Sequence, residues 1–117
     1  MTGPMDRCLI VEENFLIRQD LADILQSLGL QNIDEAESIP RAMELIAATR
    51  YRLAFVSIIH ADKRSQVFAE ELKRQKISFV VTAAYLATSD FPPSMMDVPV
   101  ISKPYSLEAI KTILPCL

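Results

Sequence analysis

Five side chains stand where short apolar runs give way to polar residues: Glu12 and Glu13, Ser57, Thr82, and Lys103. They amount to two carboxylates, two hydroxyls and one ammonium. Paired carboxylates beside a lysine can hold a hard cation or a phosphate. The plainer alternative is that Lys103 only neutralises one of the two acids. Hydrolytic chemistry finds little support. A serine hydroxyl needs an adjacent general base, and the single histidine, His60, lies three residues beyond Ser57. Asp62 reads as a solvated loop acid. Cys8 and Cys116 form no metal-type pair and are expected to be small buried hydrophobes. With ligands so dispersed, His60 cannot build a zinc site. The glycines are Gly3 and Gly29, so neither a P-loop nor a dinucleotide-binding turn is present.

These residues must be positioned by the elements that precede them. Cys8-Leu9-Ile10-Val11 is a compact apolar run and reads as a buried strand. Asn14 can cap the helix that follows. Phe15, Ile17, Leu21, Ile24, Leu25 and Leu28 recur at three- and four-residue spacing along one face of it. Gly29 falls where a helix end favours positive φ. Residues 32–36 suggest a short second strand. Ser38 caps a second helix, with Pro40 tolerated in its first turn. Leu53 to Ile59 is the most apolar stretch and reads as a central strand buried on both faces. Ser65 is the expected cap of a third helix, and Ile77 to Val81 a fourth strand. Asp90-Phe91-Pro92-Pro93 cannot lie inside a helix. Val98 to Ser102 gives a fifth strand, and Ser106 caps a last helix holding Leu107, Ile110, Ile113 and Leu114. Five strand–helix repeats predict an α/β fold: a doubly wound, five-stranded parallel sheet in three α/β/α layers. In such sheets the functional crevice lies at the carboxyl ends of the strands, where the five polar residues fall.

A chain of 117 residues, half of them hydrophobic, suits one domain with a full core. Fifteen acids against twelve bases give a charge of -3, with no basic run in the sequence, so nucleic acid and anionic membrane are not expected partners. No apolar run is long enough to span a bilayer. Residues 1–6 lack the pattern of a secretion signal, so a cytoplasmic location is expected.

The set of motifs resembles bacterial response-regulator receiver domains of the flavodoxin/CheY-like type. Leu9-Ile10-Val11-Glu12-Glu13 is similar to their first strand and acidic pair. Val80-Val81-Thr82-Ala83 resembles their fourth strand with its switch threonine. Residues 98–105, with Lys103-Pro104-Tyr105, resemble their fifth strand and lysine–proline pair. The likeness covers a core of residues 7–114 in a single receiver-like domain spanning 1–117. It implies a pocket formed by Glu12, Glu13, Thr82, Lys103 and Pro104, with a cis Lys103–Pro104 bond. In the family the third strand ends in an aspartate that accepts a phosphoryl group from a kinase histidine. An acidic pair and Mg2+ assist, and an aromatic residue on strand five switches inward.

Three departures stand out. Ser57 occupies the phosphoacceptor position. Val100 occupies the switch-aromatic position. Residues 58–64 contain no glycine. Any Mg2+ site at Glu12 and Glu13 is therefore expected to be weak or vestigial, and no other cofactor is expected. The resemblance implies a partner surface through Leu86, Phe91, Tyr105 and Lys111. Its partner would be a sensor histidine kinase or another signalling protein, and a homodimer is compatible with it. The leading expectation is a non-enzymatic receiver acting through protein–protein interaction without aspartate phosphorylation. The alternatives are phosphotransfer at an unusual residue, or a small enzyme such as a phosphatase or flavin protein on the same fold.

Overall fold

The computed structural model describes residues 7–57, 63–83, 100–102, 108 and 110–111. Its strands are β1 (Cys8–Val11), β2 (Ile33–Ala36), β3 (Leu53–Ser57), β4 (Ser78–Ala83) and β5 (Val100–Ser102). Between them run α1 (Phe15–Ser27), α2 (Ile39–Ala48) and α3 (Lys63–Arg74). The sheet order is β2-β1-β3-β4-β5, and each neighbouring pair is parallel. Parallel neighbours need a crossover, and a helix supplies each one from β1 through β4.

Side chains alternate across the sheet with a period of two. Leu9, Val11, Ala54, Val56, Phe79 and Val81 pack with residues of α2 and α3. Cys8, Ile10, Leu53, Phe55 and Val80 pack with Leu21, Ala22 and Leu25 of α1 and with Ile110. The sheet is thus covered on both faces, as its unbroken apolar runs require. Phe55 and Phe68 anchor opposite faces and are fully buried, each worth about 2–3 kcal/mol of transfer free energy.

The helix ends are locally specified. The Asn14 side chain accepts from the Ile17 amide at 3.2 Å, and Ser38 Oγ accepts from the Arg41 amide at 3.2 Å. α1 stops in a Schellman turn. Gly29 sits at φ 100°, its amide donating to Gln26 (3.0 Å), while the Leu30 amide donates to Leu25 (3.1 Å). α3 stops in the same way but without glycine. Lys76 takes φ 59°, its amide donating to Lys73 (3.1 Å), and the Ile77 amide donates to Leu72 (2.9 Å).

One expectation is corrected. Ser65 does not cap α3, because the helix begins two residues earlier at Lys63 and Ser65 lies inside it, fully buried. The expected segments at 84–99 and beyond 111, the cap at Ser106, and Cys116 lie outside the described residues. Cys8 is buried as expected, and burial pushes its thiol up to about 12. Among the described residues no helix is long and apolar enough to cross a membrane.

Candidate functional site at the carboxyl ends of the strands

The polar cluster follows from strand alternation. Cys8 and Ile10 of β1, Phe55 of β3 and Val80 of β4 all face α1. Two residues on in each strand direction come Glu12, Ser57 and Thr82, so all three have the parity of that same face. Register aligns them laterally. Val11 pairs with Val56 and Ser57 with Thr82, which sets Glu12, one residue past Val11, alongside Ser57. Three hydrophilic side chains therefore gather where three apolar columns end.

Glu12 is buried at 3 % exposure, and its carboxylate accepts from the Asn14 amide at 3.0 Å. Its own amide donates to Ala36 at 3.0 Å, extending the β1–β2 ladder by one rung. Glu13 is exposed. The two acids therefore do different work: Glu12 is fixed in the crevice, and Glu13 meets solvent. Thr82 is buried, Ser57 is partly exposed, and both engage neighbouring groups.

Arg18 is a residue the sequence reading missed. Its Nη1 donates to the Glu12 carbonyl at 2.7 Å, and its Nε pairs with Glu35 at 3.0 Å. The guanidinium also lies 5.5 Å from the Phe15 ring centre. With its side chain 14 % exposed, Arg18 ties the turn after β1 to the edge strand β2. The available signal was its place one turn beyond the Asn14 cap, in a helix otherwise read for its apolar stripe. At the amino ends of the strands, Tyr51 donates to Asp34 at 2.6 Å, and Arg7 lies 3.4 Å from the same carboxylate. Burial, helped by the Asp34 carboxylate, holds the Tyr51 hydroxyl above its ordinary pKa. That cluster links the start of β2 to the residues that precede β1 and β3.

Among the described residues the donor set does not match a carboxylate metal site. Among the described residues no group of three or more His, Cys, Asp or Glu side chains gathers. Glu12 and Glu13 diverge, one buried and one exposed, and the neighbouring strand ends in a neutral hydroxyl. Near-octahedral Mg2+ asks for more convergent oxygen ligands than these.

Val100 lies in β5, paired with Val81. Lys111 is helical and exposed, one residue after the buried Ile110. Lys103, Pro104 and their peptide bond, Leu86, Phe91, Tyr105, His60 and Asp62 lie outside the described residues. The absence of a basic run in the sequence did not foretell a basic surface that the fold assembles. Arg50, Lys63, Arg64, Arg74 and Lys76 come together along α2 and α3. They are scattered in the chain, and the parallel packing of α2 beside α3 on one face of the sheet collects them.

No protein-family model matches the chain. It is 31% identical over 110 residues to the sensory transduction protein LytR of Staphylococcus haemolyticus, a match covering 90% of this chain. The chain spans 42% of the length of that relative. Among solved structures, the BeF3-activated conformation of SdrG from Pseudomonas melonis Fr1 superposes with a TM-score of 0.80 at 22% identity, covering 98% of this chain and 97% of that one. HP1043, an orphan response regulator of H. pylori, gives a TM-score of 0.78 at 23% identity, over 99% and 98% of the two chains. With near-complete coverage in both directions, the chain has the fold of a CheY-like response-regulator receiver domain.

Proposed function

We propose that this chain is a receiver module in two-component signalling that passes its signal by contact with partner proteins, without an acyl phosphate at the end of β3. The observation that carries this reading is Ser57. It ends β3 in register with Thr82 and beside Glu12, and the family resemblance assigns that position to the phosphoacceptor aspartate of receivers. A carboxylate is ionised at neutral pH and attacks without help, whereas a hydroxyl needs a base. Glu12, the nearest buried carboxylate in the crevice, already accepts the Asn14 amide. Phosphoryl transfer depends on neutralising charge around the transferred group, and the described donors supply too few convergent carboxylates for a metal to do it.

On this reading the module is not an enzyme and works in the cytoplasm. Thr82, Lys103 and Pro104 line a pocket that holds the receiver conformation, with the Lys103–Pro104 bond cis and Val100 in place of a switch aromatic. Leu86, Phe91, Tyr105 and Lys111 form the surface offered to a sensor histidine kinase or other signalling protein. Neither nucleic acid nor membrane is a ligand.

Beryllofluoride tests this directly, since it mimics an acyl phosphate only when a carboxylate oxygen bridges to beryllium. Titration of the 15N-labelled chain with beryllium, fluoride and Mg2+ should leave the amides of Glu12, Ser57 and Thr82 unmoved. The same titration of Ser57→Asp should move them. Saturable shifts centred on those amides in the unaltered chain would overturn the proposal.

A further inference from the structure

The valley between α2 and α3 plays no part in the reading above. Two depressions of about 610 and 920 Å3 run along it and share Met43 as a wall. The floor of the smaller depression is apolar: Ile39, Pro40 and Met43 come from α2, and Val67 from α3. The larger one is more polar, with Arg50, Glu71, Arg74, Gln75 and Lys76 around Met43 and Ile46. Val67 is 46 % exposed, although the other apolar residues of α3 are buried. The rim is cationic. Among the described residues, five bases, Arg50, Lys63, Arg64, Arg74 and Lys76, line the valley, against one acid, Glu71. That acid is already engaged by Arg74 and Gln75, and Arg74 holds its carboxyl below the usual range. A chain of net charge -3 thus concentrates positive charge on one face.

Backbone strain marks the same place. Lys76 adopts φ 59° in the turn that ends α3, a conformation that glycine takes without strain and lysine does not. The turn that seats Ile77 in the core thereby fixes the backbone from which the Lys76 cation projects.

We propose that the α2–α3 valley is a docking site for an acidic amphipathic helix of a partner protein. The apolar floor takes anchors spaced i, i+3 or i+4, and i+7, while the flanking cations meet the acids of the polar face. Met43 at the junction adapts to differing anchor shapes. An apolar floor is poorly matched to a phosphate backbone, since nucleic-acid interfaces are more polar. This site is independent of the pocket at the strand ends and holds whether or not that pocket takes phosphate.

The test uses a fluorescent synthetic peptide of about 18 residues, long enough for five helical turns. Leucines sit at the anchor spacing and glutamates elsewhere, and binding to the unaltered chain is read by anisotropy. Saturable binding is expected. Lys63→Glu combined with Arg64→Glu, both exposed positions, should weaken it by about tenfold or more. Val67→Asp should weaken it as much, and that loss should persist at high salt, where charge steering is screened. Absence of saturable binding, or equal affinity of the variants, overturns the proposal. So does equal competition by a single-stranded oligonucleotide of the same charge, which would make the valley a nucleic-acid site. Sedimentation closes the last alternative: self-association of the free chain that Lys63→Glu with Arg64→Glu abolishes would make a second copy the occupant, and also overturns it.

Discussion

Replacing Ser57 by aspartate places a second carboxylate beside buried Glu12. The register sets the two positions on adjacent strands and on the same face of the sheet. Neighbouring strands lie about 4.8 Å apart. Two charges about 5 Å apart repel by about 3 kcal/mol at an effective dielectric near 20. Ser57 is partly exposed, so water screens part of this, leaving about 2 kcal/mol. The isosteric neutral variant Ser57→Asn lacks the charge and should stay within about 0.5 kcal/mol of the parent. Urea unfolding in the presence of EDTA, followed by far-ultraviolet circular dichroism, measures both. Mg2+ should then restore Ser57→Asp and leave Ser57→Asn unchanged, because the aspartate supplies the third acid that the described residues lack. At a concentration 100 times its Kd, the ion adds about 2.7 kcal/mol. If Ser57→Asp is as stable as Ser57→Asn in EDTA, the two carboxylates are not electrostatic neighbours and the inferred cluster is wrong.

Other perturbations have equally definite outcomes. Arg18→Ala removes the donors to the Glu12 carbonyl and to Glu35 and should cost about 1–2 kcal/mol in urea unfolding, with Arg18→Lys recovering only part of it. Asn14→Ala should cost about 1 kcal/mol through loss of the α1 cap, and Asn14→Gly only a few tenths. Lys76→Gly relieves the left-handed strain at the end of α3 and should raise stability by about 0.5–1 kcal/mol in the same assay. Cys8 has a raised folded pKa, so its contribution is complete below the unfolded value near 9 and is lost as pH climbs towards about 12. Tyr51 is raised too and acts in the same direction. Stability measured against pH should thus be flat through neutrality and fall on the alkaline side by at most about 1.4 kcal/mol per pH unit for each group. A fall confined to pH below 7 would contradict that assignment.

Much of the fold was legible because each strand carries its own boundary. The run from Cys8 to Val11 is entirely apolar and ends on two acids, and β1 has those bounds. Asn14, Ser38 and Gly29 are the residue types that helix ends demand, and each performs the expected local role. The end of α3 was not legible, since Gln75-Lys76 contains no glycine and the turn is imposed by docking Ile77 into the core. Ser65 misled for a related reason. Serine is a good cap, but it is also small enough to be buried on a helix, and spacing alone cannot separate these roles. The candidate pocket could be located from strand ends because period-two alternation puts Glu12, Ser57 and Thr82 on one face. Arg18 and the valley cations could not, since their meaning lies in contacts between elements distant in sequence.

Intact-mass spectrometry after incubation with acetyl phosphate and Mg2+ tests most directly whether Ser57 has removed phosphoryl acceptance. The unaltered chain should keep its mass, and Ser57→Asp should gain one phosphoryl group, whose loss in mild alkali identifies an acyl phosphate. A phosphoryl group gained by the unaltered chain and abolished by Ser57→Ala would contradict the account at its centre.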